Sequence, residues 1–384
     1  MSTRSSTDAS QPYEGYRTRG RFGSLDGLRF LCIAAVLWHH SPVLGTIADP
    51  AIILLRGFLG VDFFFVLSGF LITTLLLREE RRDGSFSLAG FYIRRARRIL
   101  PVYFFVVALA AGWFILVKGE TRYLQALPAY IFFLANFLTE PIPLLAPTWS
   151  LAVEEQYYLV WPLLLMILPR PAILPVLAGL IVINVMGIMG GFAPLGIRAF
   201  DWGPFTFALP NATYAPILIG SVLAILMQNP GAFATLYRLF GHRWSAPVLL
   251  ALVALLAAIL PADLRGLPNL ALHLTMAAAL ASLTLREDNG LAPLLQWRPL
   301  ARVGETSYGI YLYHLITLHV ANLVLGRLGV DSVWIIAIVY ALLSVAVAEI
   351  SFRTLEAWFR PSKPRAHQAR LSRHPQPEPP EPPE

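Results

Sequence analysis

The stretch LDGLRFLCIAAVLWHH, residues 25–40, is an apolar run with an arginine near its start and two histidines at its end. Similar runs recur along the chain as far as Phe352, and 56% of the 384 residues are hydrophobic while only 14% are charged. A soluble domain usually carries about 25% charged residues. The sequence therefore predicts an all-α fold, a polytopic helical bundle that spans a membrane.

The basic residues predict the number of spans. Eleven apolar segments are present, and the fourth, LQALPAYIFFLANFL (124–138), is short for a span and typical of a re-entrant segment. If every segment crosses, the 30 Lys and Arg residues divide equally between the two sides. If the fourth only dips into the membrane, 24 lie inside and 6 outside, and the positive-inside rule selects this arrangement. We therefore expect about ten transmembrane helices plus one re-entrant segment, with both termini in the cytoplasm.

The chain is predicted to have three regions. Residues 1–24 are polar and are expected to be a disordered cytoplasmic segment, followed by the membrane domain at residues 25–356. Residues 357–384, rich in Pro and Glu, are expected to be a disordered cytoplasmic tail.

Charge and cysteine content argue against several classes of site. The net charge of +7 is typical of a membrane protein with basic cytoplasmic loops, so nucleic acid is not an expected partner. Cys32 is the single cysteine, which excludes an intrachain disulfide and a cysteine metal cluster. The sequence contains neither a glycine-rich phosphate loop nor an HExxH zinc motif, so we expect no metal site and no bound cofactor.

Arg29 and His40 are predicted to share one face of the first span. Eleven residues at about 100° each return to within roughly 20° of the starting direction, and a rise of about 1.5 Å per residue separates the pair by about 16 Å. His39 points about 80° away from Arg29. A charged residue inside a span usually faces a protein interior or a wet cavity. The alternative for Arg29 is to reach the inner interface beside Asp26.

The stretch TWSLAVEEQYYLVWP (148–162) places a carboxylate at the depth of His40. Glu154 lies about 9 Å below the outer end of its helix, and His40 lies about 21 Å above Asp26, within a hydrocarbon core of about 30 Å. A histidine and an acid at one level favour a general base whose imidazole is oriented by the carboxylate. A structural role for Glu154, as a cap or as the partner of an arginine, is the alternative.

Further polar residues lie inside the predicted spans, where they are expected to line a cavity or to bond a neighbouring helix. These cavity-lining candidates are Asp62, Ser68, Ser150, Gln156, Ser307, Tyr308, Tyr311 and His314.

The cytoplasmic stretch FYIRRARRILP (91–101) carries the four residues Arg94, Arg95, Arg97 and Arg98. Three of them, Arg94, Arg97 and Arg98, share a helix face by their spacing. Guanidinium groups bind phosphates well, which favours a donor-binding site, but the same cluster would also touch anionic membrane lipids or fix the topology.

Together these stretches resemble the membrane acyltransferase family 3, whose members O-acylate surface glycans, lipid-linked sugars and some secondary metabolites. The opening stretch resembles the family's Arg-x10-His first span, and GVDFFFVLSGFLIT (60–73) resembles its second-span signature. RRARR (94–98), TWSLAVEEQYYLVWP, SYGIYLYHL (307–315) and FRTLEAWF (352–359) resemble its later motifs, of which the second selects Glu154 over Glu155. The resemblance extends from about Leu25 to Glu356.

This resemblance implies a transmembrane acyltransferase domain at residues 25–356, in a bacterial cytoplasmic (inner) membrane. It implies acyl-coenzyme A as a cytoplasmic co-substrate and a hydroxyl of a cell-surface or lipid-linked carbohydrate as acceptor, with acetyl as the expected group. His40, Glu154 and Arg29 would be catalytic, and the arginine motif would bind the donor. We expect no fused esterase-like domain, which some members carry after the last span. A small-molecule acceptor such as a macrolide, or a transporter of a related substrate, is the alternative.

Overall fold

The computed structural model describes residues 10–196, 199–207 and 213–359, and within these ranges the chain is almost entirely helical. The α-helices are α1 (Ser10–Thr18), α2 (Ser24–His39), α3 (Ile52–Leu55), α4 (Leu59–Asp83), α5 (Leu88–Gly112), α6 (Leu127–Ile131), α7 (Thr148–Ile167), α8 (Arg170–Ile188), α9 (Ala215–Gln228), α10 (Pro230–Phe240), α11 (Ser245–Ile259), α12 (Leu267–Leu285), α13 (Ala292–Leu295), α14 (Arg298–Glu305), α15 (Ser307–Arg327), α16 (Val333–Arg353) and α17 (Leu355–Phe359).

The protein is a polytopic helical membrane protein, as predicted. Helices long and apolar enough to cross a membrane are Leu59–Asp83, Leu88–Val117, Arg170–Ile188, Leu267–Leu285, Ser307–Arg327 and Val333–Phe359. The pair α9 and α10, bent by 110°, would be a seventh crossing if it forms one span.

This count, made on the described residues, is lower than the ten spans predicted, although each predicted span contains a helix. The helices α2 and α11 have only 16 and 15 residues, which is short for a bilayer. In α7 the polar run Glu154, Glu155 and Gln156 lowers the mean hydropathy. These helices therefore differ from ordinary spans in length or polarity.

The segment predicted to be re-entrant contains no long helix. Residues 121–137 form two 3₁₀ helices, Thr121–Ala126 and Ala135–Phe137, on either side of the five-residue α6. The Tyr103 hydroxyl of α5 donates a 2.9 Å hydrogen bond to the carbonyl of Tyr130, which ties this segment to the bundle.

Glycines allow α4 and α9 to pack in close contact. A Cβ atom at Gly69 would lie 1.9 Å from the carbonyl oxygen of Ile217, and one at Gly220 would lie 2.1 Å from that of Val66. Only glycine fits such an approach without moving the backbones.

Part of the N-terminal segment is ordered, although residues 1–24 are predicted to be disordered. Residues 10–18 form α1, whose Tyr16 is completely buried against Phe233 and Phe22. The guanidinium of Arg78 donates to the carbonyls of Tyr16 and Arg19. Aromatic burial thus fixes a segment whose overall polarity is typical of a disordered chain. Of the predicted C-terminal tail, residues 360–384 lie outside the described residues.

A short β-hairpin lies at the end of the bundle where α7 begins. Its strands, β1 (Phe200–Trp202) and β2 (Phe205–Phe207), pair antiparallel with Phe200 opposite Phe207. Leu138 forms a bridge to Phe205, which joins the hairpin to the segment before α7. The rings of Phe200 and Trp202 are largely exposed.

Candidate active site

A cavity of about 230 Å³, the central chamber, is enclosed by α2, α4, α5, α7 and α15. Its polar lining consists of Arg29, Ser68, Arg95, Arg98, Ser150, Glu154, Tyr158, Ser307, Tyr308 and Tyr311. All of these except Tyr158 are residues that the sequence selected, so five widely separated helices bring nine of the predicted site residues together.

Glu154 is held inside the chamber by two hydroxyl groups. Both Ser68 on α4 and Tyr158, one turn further along α7, donate hydrogen bonds to its Oε1 atom. The guanidinium of Arg95 lies 4.6 Å from the centre of the Tyr158 ring, a cation–π contact. Sequence reasoning missed Tyr158, although its position four residues after Glu154 places it on the same helix face.

His40 lies just beyond the last residue of α2, and its ring is oriented by the backbone. Its Nδ1 atom is 3.0 Å from the carbonyl oxygen of Val36. Because a carbonyl oxygen only accepts, Nδ1 carries the proton and Nε2 retains a lone pair in the neutral imidazole. This arrangement prepares Nε2 to accept a proton, the chemical requirement of a general base.

The predicted contact between Glu154 and His40 is wrong. Neither a hydrogen bond nor an ion pair joins the two residues, both of which lie in the described part of the chain, and Val36 rather than Glu154 orients the imidazole. The comparison of depths within the membrane says nothing about where two side chains lie around the bundle. In addition, His40 follows the last residue of α2, so its side chain does not point in the direction that helical spacing predicts. Glu154 instead accepts hydrogen bonds from the hydroxyls of Ser68 and Tyr158.

Tyr311 lies between the chamber and the histidine. Its hydroxyl is 2.6 Å from Ser150 Oγ and donates to the carbonyl of Pro147 at 2.9 Å. Its ring lies 5.6 Å from that of His314, and the His314 ring lies 4.8 Å from that of His40. A series of contacts therefore leads from the chamber wall to His40.

His314 does not line the chamber but is completely buried beside His40. Its Nδ1 atom lies 2.5 Å from the carbonyl oxygen of Tyr311. Its Nε2 atom has no hydrogen-bond partner among the described residues. The two neighbouring imidazoles thus share one arrangement, each with Nδ1 directed at a carbonyl of its own helix.

Two further predicted cavity residues lie outside the chamber. Asp62 is buried against His273, with 3.3 Å between the nearest oxygen and nitrogen but without hydrogen-bond alignment. Gln156 bonds Asn136 and Tyr214 and lines a separate, apolar cavity of about 520 Å³. Helical geometry explains both, since Asp62 is about 120° around α4 from Ser68 and Gln156 is about 200° around α7 from Glu154.

Two larger cavities open at the arginine-rich end of the chamber. The first, the basic cavity, has about 800 Å³ and lies between α4, α5 and residues 17–20. The second, the mixed-charge cavity, has about 530 Å³ and is lined by Arg94, Arg97 and Arg98 together with residues of α2, α14 and α15. Arg98 lines all three cavities. The predicted shared face of Arg94, Arg97 and Arg98 is therefore present.

Arg29 combines the two arrangements considered for it. It lines both the central chamber and the mixed-charge cavity, and it also bonds Asp26 at 2.6 Å. It therefore lies at the junction between the mixed-charge cavity and the chamber rather than beside His40.

Comparison with known proteins identifies the family of the chain. The sequence profile described as an acyltransferase domain matches residues 22–352, most of the chain. The chain belongs to this acyltransferase family. The match includes every predicted site residue, from Arg29 to His314.

Relatives of this chain are O-acetyltransferases by name. It is 28% identical to the peptidoglycan O-acetyltransferase OatA of Listeria monocytogenes, over 88% of this chain and 55% of that protein. It is 29% identical to the O-acetyltransferase OatA of Staphylococcus aureus, over 88% of this chain and 57% of that protein. The chain thus spans little more than half the length of these curated relatives. No solved structure matches it.

Proposed function

We propose that this chain is an integral-membrane O-acyltransferase that moves an acyl group, with acetyl as the first choice, from acyl-coenzyme A to a hydroxyl of a cell-wall glycan such as peptidoglycan. It would act in a bacterial cytoplasmic membrane with both termini inside. The names of both relatives support the reaction, and the name of the Listeria monocytogenes relative supports the acceptor. The observation that carries the proposal is the central chamber, which meets arginine-lined cavities at one end and Tyr311, beside the His40–His314 pair, at the other.

The donor side of the proposal rests on charge. Arg95 and Arg98 line both the basic cavity and the chamber. An anionic donor bound in the basic cavity would therefore extend directly into the chamber. Guanidinium groups form strong, often bidentate hydrogen bonds with phosphates. The apolar residues Val61, Phe65 and Leu151 line the chamber and suit an acyl group.

His40 would act as general base. Its Nε2 takes the proton of the acceptor hydroxyl, the oxygen attacks the thioester carbonyl, and a tetrahedral oxyanion forms. The C–S bond then breaks, and the coenzyme A thiolate takes the proton from the imidazolium. General-base catalysis of this kind contributes about 10²–10⁴ in rate. In the chamber, the hydroxyls of Tyr308 and Tyr311 already donate to the carbonyls of Ile99 and Pro147, so these tyrosines would act as fixed walls.

Glu154 would act on the donor rather than on His40. Ser68 and Tyr158 occupy its Oε1 atom, so its position in the chamber is fixed from two helices. A carboxylate so held can accept hydrogen bonds from the amide groups of an extended pantetheine arm. We therefore assign Glu154 to the positioning of the thioester.

The test is a comparison of cell-wall glycan masses from cells with and without the gene. The proposal predicts the loss of one acyl mass per modified sugar when the gene is absent, and its return with the wild-type gene but not with His40→Ala. A transporter would change the amount of glycan and leave its mass unaltered, which would refute the proposal.

A further inference from the structure

The two inner cavities differ in their balance of charge. The basic cavity is lined by eight arginines and one acid, Glu79. The mixed-charge cavity is lined by five arginines and three acids, Asp26, Glu305 and Glu356. Glu79 is itself engaged by Arg94 at 2.6 Å. A ligand with several negative charges is therefore attracted more strongly to the basic cavity.

Ion pairs reduce this difference but do not remove it. In the basic cavity Arg17, Arg19, Arg82 and Arg94 each pair with one carboxylate. In the mixed-charge cavity Arg21 pairs with Asp26 and Glu305, and Arg29 pairs with Asp26. In the part of the chain that the structure describes, no carboxylate lies within ion-pair distance of Arg81, an exposed residue of the basic cavity.

Arg78 adds positive charge to the same cavity. It donates to the carbonyl oxygens of Arg19 and Tyr16, at 2.7 and 3.1 Å, and these oxygens carry no formal charge that would neutralise it. The same bonds fix residues 17–20 as one wall of the cavity, behind the buried ring of Tyr16. Residues 17–20 are thus a fixed part of the cavity lining.

We propose that the phosphorylated nucleotide end of the acyl-coenzyme A donor binds in the basic cavity, where Arg81 and the wall formed by residues 17–20 extend the site beyond the arginine motif. This inference rests on the acyl-coenzyme A donor of the proposed function. The volume of about 800 Å³ lies within the range of about 300–1,000 Å³ usual for ligand pockets. Coenzyme A carries three phosphates, which matches a site with several guanidinium groups.

The path from this cavity to the chamber follows α4. Leu75 lines both spaces, as do Arg95 and Arg98. From Arg82 at the inner end of α4 to Ser68 in the chamber is fourteen residues, about 21 Å along the helix. An extended pantetheine arm along this path would bring the thioester to the level of the hydrogen bond between Ser68 and Glu154.

The experiment measures the dissociation constants of coenzyme A and of dephospho-coenzyme A for the purified full chain. In Arg81→Gln, the constant for coenzyme A should rise about tenfold, because a charge-assisted contact to phosphate is lost. The melting temperature should stay the same, since the Arg81 side chain is exposed. The matched control is Arg238→Gln, an exposed arginine of α10 outside the cavities described above, for which the constant should not change.

The other outcomes separate this inference from the proposed function. If Arg97→Gln weakens coenzyme A binding and Arg81→Gln does not, the nucleotide binds in the mixed-charge cavity; the inference is then wrong while the donor stands. If wild-type protein binds no coenzyme A, the proposed donor itself is wrong. If Arg81→Gln alters only the response to phosphatidylglycerol in nanodiscs, the basic cavity holds a lipid headgroup, and the inference is overturned.

Discussion

The hydroxyl of Tyr311 lies 2.6 Å from Ser150 Oγ, and this contact joins α15 to the first turn of α7 at the outer end of the central chamber. On one side of it lie Glu154 and the path to the arginines, and on the other lie His314 and His40. A partition at this place would limit the access of water to the thioester. Exclusion of water also limits hydrolysis as a side reaction.

Removal of the Tyr311 side chain should increase hydrolysis of the donor in the absence of acceptor. In Tyr311→Ala we expect release of free coenzyme A from acetyl-coenzyme A without acceptor to rise several-fold, because water gains access to the chamber. Tyr311→Phe keeps the ring and loses only the hydroxyl bonds, so it should release less coenzyme A than Tyr311→Ala. A thiol-release assay measures both. Equal, low hydrolysis in wild type and Tyr311→Ala would show that Tyr311 is not a barrier.

Replacement of His40 should abolish transfer while leaving donor binding intact. We expect His40→Ala to lower the rate of acyl transfer to acceptor by about 10²–10⁴, with an unchanged dissociation constant for coenzyme A, because His40 lies outside the chamber that holds the donor. Transfer rates and binding are measured on the same purified sample. His39→Ala is the matched control. Full activity of His40→Ala at normal expression would refute the assignment.

The two hydroxyls that meet at Glu154 Oε1 should act as a unit. Ser68→Ala and Tyr158→Phe each leave the carboxylate with one donor, whereas the double variant leaves none. Residues that share a partner usually show coupling energies of about 0.5–3 kcal/mol. A double-mutant cycle on kcat/KM for acetyl-coenzyme A should therefore be non-additive. Strict additivity would mean that the two hydroxyls act on different groups.

How far the sequence could predict this site depends on the kind of information needed. Helical spacing placed Arg94, Arg97 and Arg98 on one face, and polarity inside an apolar span selected Ser68, Ser307 and Tyr311 as cavity residues. Both kinds of evidence depend on one helix at a time.

Contacts between residues of different helices were harder to predict from the sequence. Equal depth suggested that His40 meets Glu154, yet α7 and the end of α2 present these side chains to different neighbours. The partner of Asp62 is His273, more than 200 residues later, and no local pattern indicates it. Burial of Tyr16 against Phe233 likewise depends on a contact across the sequence.

The exposed aromatic hairpin offers a surface for the glycan acceptor. Trp202 and Phe200 expose their rings, and Asp201 between them accepts a hydrogen bond from Thr206. Flat aromatic surfaces beside polar groups suit sugar rings, which present both C–H faces and hydroxyls. Trp202→Ala should raise KM for a glycan acceptor several-fold and leave acceptor-independent hydrolysis unchanged. An unchanged KM in Trp202→Ala would exclude the ring from acceptor binding.

A cluster of charges outside the spans predicts how stability depends on pH. Glu305 accepts hydrogen bonds from Arg302, at 3.0 Å, and from Arg21, which links α14 to the segment before α2. Burial raises the pKa of Glu305, but the bonds from the two arginines more than offset it, so the pKa lies below its ordinary value of 4.5. The carboxylate therefore stabilises the fold above about pH 4.5, and this contribution is lost as the pH falls through the lowered pKa.

The substitution Glu305→Gln removes this contribution at every pH. We expect the melting temperature of wild-type protein in detergent to exceed that of Glu305→Gln at pH 7, and the difference to shrink as the pH falls below about 4.5. Glu287→Gln is a useful control, because Glu287 pairs with Arg19 at 3.2 Å in a separate contact. A difference between wild type and Glu305→Gln that is constant from pH 7 to pH 3 would show that the arginines do not act through the charge of Glu305.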